Sequence, residues 1–289
     1  MQKTLSATLK GALFAGAAML GVTAAAQAAS LQEILDSGTI RIAVANEIPY
    51  GYVDPVSGDV LGAGPDVAKH LVAEMGIDDI EWVTTDFSGL IPGLQADRFD
   101  MVAAEMAINP SRCAKVIYSE PNSSYGEGLL VAAGNPKDLH SYSAFAEDPE
   151  LTVAIMAGAN QLDMMQALGV PENQLVTISS NSDAISTVSS GRADAYAATG
   201  QTAGELASRS DAVELAGDFE DPIIDGEEQR SWGAFVFAED NEELRDRINE
   251  LLADFKETAE WEEILSGHGF SDTDISRSFD KSAADLCPS

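Results

Sequence analysis

Residues 87–112 constrain the fold more than any other stretch of the chain. An apolar pattern with near-helical spacing at residues 90–94 is followed by a short apolar run at 99–104, typical of a strand buried on both faces. We therefore predict a helix, a turn and a strand, followed by a loop that carries Glu105 and Arg112. Because ligands bind beyond the carboxyl ends of strands in open α/β sheets, Arg112 is a candidate carboxylate clamp. The alternative is an ordinary exposed arginine.

Apolar strands alternate with amphipathic helices on both sides of this stretch. Further strands are predicted at residues 39–44, 80–84, 151–156, 175–178, 191–199 (with a preceding turn) and 229–237. Helices are predicted at 66–75, with a small one starting at 139–145, and at 161–168, 183–188 and from 241 onward. Each half of the chain thus has the order β-α-β-α-β. This order predicts an α/β fold of two lobes, each a mainly parallel sheet flanked by helices.

The N-terminus has the pattern of a cleaved secretory signal peptide over residues 1–28. Two lysines supply its positive charge, residues 11–25 are apolar, and Ala-Gln-Ala at 26–28 is a small-x-small cleavage site. The apolar run is too short for a good membrane span. We therefore expect a soluble exported protein that begins at Ala29, the alternative being an uncleaved N-terminal anchor.

The chain is strongly acidic, with a formal net charge of −32. Without the two lysines of the predicted signal the charge becomes −32 − 2 = −34. Such a charge argues against nucleic acid or an anionic membrane as a partner. The acidic residues are dispersed, which fits either an ordinary solvated surface or adaptation to a saline exterior.

The chain has two cysteines, Cys113 and Cys287, and three histidines scattered along its length. An even number of cysteines in an oxidising compartment permits one disulfide, and two unpaired thiols are the alternative. The histidines are too sparse for a metal site, and the sequence lacks Walker, GxSxG, HExxH and CxxC motifs. We therefore expect no metal, no cofactor and no catalytic residue.

The motif FSGLIPGLQADRFDMVAAEMAINPSR resembles the signature of periplasmic solute-binding proteins of ABC importers, in the polar-amino-acid group known as family 3. The resemblance spans nearly all of residues 38–270. It implies a periplasmic-binding-protein fold hinged by two crossing segments, with one lobe at residues 30–123 plus 234–289 and the other at 127–229. It also implies a monomer that delivers a small ligand to the transmembrane subunits of a permease.

In this family an arginine holds the ligand's α-carboxylate, and an aspartate after a second-lobe strand holds the α-ammonium. Arg112 matches the first anchor, whereas the second position, counted along the GRADA motif, is Thr199. Gly158 and Asn160 follow the strand predicted at 151–156, where a helix start suits an anion. Because an unpaired buried ammonium costs several kcal/mol or so, Thr199 disfavours a free primary α-amino acid.

The loop NEIPYGY at residues 46–52 offers a carboxylate beside aromatic rings, which attract diffuse cations. Together with the segments FSGLIPGLQADRFD, GNPKDLHSY and GRADAYAATG, it resembles the ectoine- and hydroxyectoine-binding proteins of osmolyte uptake. The resemblance implies that Glu47, Tyr50 and Phe87 contact the cation and that Arg112 binds the carboxylate. Ectoine, a cyclic amidinium carboxylate, has no primary ammonium.

Two positions depart from the ectoine-binding pattern. Ala107 stands where a third aromatic ring is expected, with Trp232 or Tyr52 as candidate replacements, and Glu105 stands where a small residue is usual. The alternative ligands are a polar amino acid or another small zwitterion. Two other functional classes are an enzyme that uses Glu47 and Glu105 for acid–base catalysis, and a sensor input module.

Overall fold

The computed structural model describes residues 29–287, so the predicted signal peptide lies outside the described residues. The strands, in chain order, are β1 (Thr39–Val44), β2 (Tyr52–Val53), β3 (Val60–Leu61), β4 (Asp79–Thr84), β5 (Met101–Ala107), β6 (Ile117–Tyr118), β7 (Ser123–Tyr125), β8 (Glu127–Ala132), β9 (Val153–Met156), β10 (Leu175–Ile178), β11 (Ala195–Thr199), β12 (Val213–Leu215), β13 (Ile223–Ile224), β14 (Glu227–Glu228) and β15 (Ser231–Phe237). The helices are α1 (Leu31–Ser37), α2 (Ala63–Glu74), α3 (Leu90–Gln95), α4 (Pro110–Cys113), α5 (Ala144–Glu147), α6 (Gln161–Ala167), α7 (Ala184–Ser189), α8 (Gly200–Ser208), α9 (Glu242–Phe255), α10 (Ala259–Gly267), α11 (Asp272–Arg277) and α12 (Ala283–Leu286). Within this part of the chain, no helix combines the length and the hydropathy needed to cross a bilayer.

Two mixed sheets form the centres of two lobes. The strand order is β4-β1-β5-β15-β6 in the first lobe, with β7 also paired to β15, and β10-β9-β11-β8-β12 in the second. In each sheet the first three strands are parallel, whereas β15 runs antiparallel to β5 and β8 antiparallel to β11 and β12. The two-lobed α/β fold predicted from the sequence is confirmed, with antiparallel strands added to each parallel core.

The first lobe buries its sheet on both faces, which explains the continuous apolar run of β5. Met101 and Ala103 enter the core cluster shared with α2, α9 and α10, whereas Val102 and Ala104 enter the cluster shared with α3. Successive residues of a strand point to opposite faces, so each face needs its own apolar set. All seven residues of β5 are buried as a result.

The strand β5 ends three residues later than the run at 99–104 predicts. Met106 and Ala107 pair with Ala234 and Gly233 of β15, and the register shifts before the next pair. Glu105 lies in this irregularity with a φ of +46°, a left-handed conformation uncommon outside glycine. The prediction that Glu105 occupies a loop after the strand is therefore wrong, because antiparallel pairing with β15 continues past it.

Other differences from the predicted elements are local. The strand predicted from residue 151 begins at Val153, since the backbone N–H of Thr152 donates to the Asp194 carboxylate (2.7 Å). The small helix predicted from residue 139 is confined to α5, which begins at Ala144. The helix α8, directly after Thr199, was not predicted.

A disulfide joins Cys113, the last residue of α4, to Cys287, directly after α12, with 5.6 Å between the Cα atoms and a sequence separation of 174. Ala283 and Leu286 of the tail pack against the cluster around β5. The bond therefore ties the tail covalently to the short helix that contains Arg112.

We predict that replacing both cysteines by serine lowers the free energy of unfolding by about 2–5 kcal/mol, because the bond restricts the unfolded chain over a long loop. Urea unfolding of the variant and of wild type measures the difference, and reduced wild type should reproduce the variant. Mass spectrometry of unreduced, alkylated wild type should find no modified thiol. Two alkylated thiols would refute the bond.

Candidate functional site

A cavity lies between the two lobes, with about 380 Å³ of empty space including its opening to solvent. Its walls come from the segments that end or follow β1, β5, β9 and β11, the parallel strands next to one another in each sheet. Ligand sites of open α/β sheets lie at such carboxyl ends. The lining residues are Glu47, Tyr50, Phe87, Ala104, Glu105, Ala107, Arg112, Tyr125, Met156, Ala159, Asn160, Gln161, Tyr196, Ala198 and Thr199.

Arg112 is positioned by the short helix that follows β5. Asn109 caps this helix, since its side-chain oxygen accepts from the Arg112 backbone N–H at 3.0 Å. The guanidinium donates to the carbonyls of Ala107 (2.8 Å) and Gly158 (2.9 Å), which use two of its five N–H groups. The ring of Phe87 lies 5.4 Å from the guanidinium carbon. Arg112 is thus a buried cation held by neutral groups.

Glu47 belongs to the loop after β1, which is closed by two backbone hydrogen bonds of 2.9 Å between Glu47 and Gly51. The Thr202 hydroxyl of the second lobe donates to the Glu47 carboxylate at 2.9 Å. Burial raises the pKa of Glu47, and hydrogen bonds from Asn181 and Thr202 with the charge of Arg112 oppose that rise. Glu47 therefore contributes a buried acid to the cavity and a contact between the lobes.

Tyr50 and Thr199 form a second contact across the cleft. The Tyr50 hydroxyl donates to the Thr199 hydroxyl oxygen at 2.7 Å. The same Thr199 oxygen accepts from the backbone N–H of Thr202 at 3.2 Å and so caps α8. Thr199 lines the cavity at the position predicted from the GRADA motif, but its hydroxyl is already engaged with the protein.

Gly158 and Asn160 bring the second lobe against the first. Gly158 has a φ of +83°, and a Cβ atom there would lie 3.1 Å from the Ser88 Cα of the first lobe. Any larger residue would hold the lobes apart and strain the backbone. Asn160 lines the cavity and donates to the Ser231 hydroxyl at 3.1 Å. Gly158 contributes its carbonyl to Arg112 rather than a surface to the cavity.

Glu105 is a second buried acid at the cavity wall. Its carboxylate accepts from the Asn122 amide at 2.7 Å and from the Ser123 hydroxyl, while its backbone carbonyl accepts from the Tyr125 hydroxyl at 2.7 Å. Burial raises the pKa of Glu105, against the effect of these two side-chain donors. Ala107, two residues later, lines the cavity with a small side chain.

The predicted set missed several lining residues, notably the rings of Tyr125 and Tyr196. Tyr196 is detectable from strand alternation, since residues two apart share a face and Ala198 also lines the cavity. Neither proposed replacement ring lies there: Trp232 donates through its indole N–H to the Arg277 carbonyl (2.9 Å), and Tyr52 lines a neighbouring groove. Aromatic surface at the cavity thus comes from Tyr50 and Phe87, which the sequence analysis named, and from Tyr125 and Tyr196, which it did not.

Glu127, the first residue of β8, is a third buried acid close to the crossing between the lobes. Its carboxylate accepts from Gln161 (2.6 Å), Tyr142 (3.2 Å) and Ser231 (3.3 Å). Burial, opposed by these donors, raises the pKa of Glu127 to about 7. No feature of the sequence distinguishes this acid from the many on the surface.

We predict that Glu127→Gln becomes more stable relative to wild type as the pH rises. With a pKa near 7 in the fold and 4.5 as its ordinary value, Glu127 keeps in the folded state a proton that the unfolded chain releases, so wild type loses stability across this pH window. The difference in unfolding free energy should change by about 3 kcal/mol between pH 4.5 and pH 8. Urea unfolding at both pH values measures it.

Glu239→Gln provides the matched control, since Glu239 is exposed. That variant should follow the wild-type pH dependence. An equal difference between Glu127→Gln and wild type at both pH values would mean that the three donors keep Glu127 ionised.

Known proteins that resemble this chain in sequence are extracellular or periplasmic solute-binding proteins. The sequence profile of the bacterial extracellular solute-binding proteins, family 3, matches residues 40–270. A probable amino-acid ABC transporter periplasmic-binding protein (y4tE) of Sinorhizobium fredii is 52% identical over 282 residues, covering 96% of this chain and 93% of the relative. The crystal structure of EhuB in complex with hydroxyectoine has a TM-score of 0.80 and 29% identity, covering 89% of this chain and 97% of the other.

An ancestral amino-acid-binding protein described as a precursor of cyclohexadienyl dehydratase matches less well, with a TM-score of 0.70 and 27% identity over 82% of this chain and 97% of the other. The family is one of solute-binding proteins, so the prediction of a binding protein rather than an enzyme is confirmed. Since the profile match covers most of its length, the chain belongs to the bacterial extracellular solute-binding proteins of family 3.

Proposed function

We propose that this protein captures a compact zwitterion, ectoine or hydroxyectoine first, for an ABC importer of osmolytes. The observation that carries the proposal is a pair of opposite charges in one cavity. Arg112 and Glu47 both line it and both are buried. Within residues 29–287, neither forms an ion pair. Because an unpaired buried charge costs several kcal/mol or so, a ligand with a carboxylate and a cation would satisfy both.

The cation side of the cavity suits a delocalised charge. Glu47 lies there with the rings of Tyr50 and Tyr196 lining the same cavity, and aromatic faces attract cations by roughly 0.5–2 kcal/mol each. Thr199, the position of the family's ammonium-binding aspartate, is neutral and its hydroxyl is engaged with Tyr50. An amidinium needs one carboxylate and flat surfaces, whereas a primary ammonium needs several close acceptors.

The ligand is small. The empty space between the lining residues is only about 380 Å³ even with its opening to solvent included, which supports a compact ligand. The likeness to a hydroxyectoine-bound structure over 97% of that chain supports the same ligand class.

A polar amino acid is the second candidate, and Glu105 favours it. A further buried acid at the cavity wall supplies a partner for an α-ammonium that Thr199 does not. The name of the relative from Sinorhizobium fredii, a probable amino-acid transporter component, agrees with this candidate.

We further propose that residues 1–28 are a cleaved signal peptide, so that the mature protein acts in the periplasm as a monomer. The apolar run and the Ala-Gln-Ala site support cleavage before Ala29. Closure of the lobes over the ligand would then present the closed surface to the permease subunits. Mass spectrometry of the exported protein tests the cleavage position.

Thermal-shift measurements followed by calorimetry test the ligand class. The panel contains ectoine, hydroxyectoine, betaine, proline and the common amino acids. We expect ectoine or hydroxyectoine to stabilise the protein most, by about 2.7 kcal/mol at 100 times the dissociation constant. Tight binding of glutamine or arginine with no response to ectoine would replace the first candidate by the second.

We predict that Arg112→Ala weakens binding of whichever zwitterion wild type prefers by about 30-fold or more, because losing one partner of a desolvated charge pair costs roughly 2–5 kcal/mol. Arg98→Ala is the matched control: Arg98 also lies over a ring, that of Phe99 at 5.9 Å, but it does not line the cavity. Calorimetry measures both variants. An affinity of Arg112→Ala within twofold of wild type, in a protein with normal melting, would refute the assignment.

A further inference from the structure

Glu105 is a buried acid of the first lobe, and both its burial and its backbone conformation are energetically unfavourable. The side chain is 1% exposed, and the residue has a left-handed φ of +46° in the irregular part of the β5–β15 ladder. Strained backbone of this kind is unfavourable and clusters at ligand sites. Among the described residues, no lysine, arginine or histidine forms an ion pair with it.

Neighbouring residues leave space for this carboxylate and fix its position. A Cβ atom at Gly233 would lie 2.8 Å from Glu105 Oε2 and 2.6 Å from the Ser123 hydroxyl, so a side chain there would displace the pair. Asn122 donates to Glu105 and in turn accepts from the Trp261 indole N–H at 2.9 Å. The carboxylate is thus held between fixed donors rather than free to turn away.

The acceptor capacity of Glu105 is only partly used. An ionised carboxylate offers about four acceptor positions, whereas the donors to the Glu105 side chain are Asn122 and Ser123. The residue also lines the cavity that holds Arg112 and Glu47. The Glu105 carboxylate thus has unused acceptor positions, and the residue lines the cavity.

We propose that Glu105 is a specificity-determining residue that accepts a hydrogen bond from an additional N–H or O–H group of the ligand. This inference rests on the proposed function, in which Arg112 takes the carboxylate and Glu47 the cation. It narrows the ligand class to compact zwitterions with one more donor, so hydroxyectoine is preferred to ectoine. Ala107, two residues after Glu105, lines the same cavity with a small side chain.

The competing explanation is that Glu105 only stabilises the first lobe and does not contact the ligand. The ratio of the affinities for two matched ligands distinguishes these explanations. Calorimetry compares two ligand pairs that differ by one donor-bearing group: hydroxyectoine with ectoine, which differ by a hydroxyl, and ornithine with norvaline, which differ by an ammonium and its positive charge. Each ligand is measured on wild type, Glu105→Ala and the isosteric Glu105→Gln. A stabilising role alone would change both members of a pair equally, whereas direct contact changes their ratio.

We expect wild type to prefer the donor-bearing member of at least one pair by about tenfold or more, the effect of one hydrogen bond to a charged group. The ratio should fall to about one in Glu105→Ala and to an intermediate value in Glu105→Gln, since a neutral acceptor is weaker. Glu239→Gln, at an exposed acid, should leave the ratio unchanged, and Arg112→Ala should weaken both members of a pair.

Wild type without a preference in either pair, or a preference that survives in Glu105→Ala, would overturn the inference even if ectoine binds. If Glu105→Ala does not fold, the wild-type and Glu105→Gln ratios decide. A preference confined to ornithine over norvaline, lost in Glu105→Ala, would retain the role of Glu105 while removing ectoine as the ligand. Absence of binding by all four compounds would overturn the inference, and absence of a response to the whole thermal-shift panel would refute the proposed function as well.

Discussion

The rest of the site depends on one constraint, a guanidinium buried in the closed cleft without a carboxylate partner. Arg112 is held by two backbone carbonyls, one from each lobe. Removing a cation from water is costly unless an anion or several acceptors replace the lost hydration. The two carbonyls offset part of that cost and orient the guanidinium, and in the proposed function a ligand carboxylate offsets the rest. The opposite charge of Glu47 in the same cavity is the reason for proposing a zwitterion.

Both lobes serve this arrangement by the same construction. In each, three parallel strands in the order second-first-third end at the cleft, and an antiparallel strand completes the sheet. Short connections after those strand ends place Glu47, Arg112, Asn160 and Thr199 around one space. Local hydrophobic patterning is therefore enough to specify the core of each lobe. The charged and polar groups of the cavity come from a few residues at or beyond the strand ends.

The sequence was sufficient for the parts that follow from periodicity and from strand ends. The strand at Leu175–Ile178 and the placement of Arg112 at the cavity follow from apolar runs and from the rule for open sheets. The depth of Glu105 and Glu127 was not predictable, because an acid in an acidic sequence gives no signal of burial. The pairing of Ala107 with Gly233 was not predictable either, because these residues lie far apart in the chain.

The contacts of Tyr50 with Thr199 and of Glu47 with Thr202 join the lobes through protein groups alone. Each hydrogen bond joins two protein groups and needs no atom of a solute. They lower the free energy of the empty closed form, so a solute needs less differential affinity to shift the population. The protein therefore binds its solute at a lower concentration. The cost is that solute-bound and solute-free protein differ less in their closed population, so the transporter distinguishes them less well.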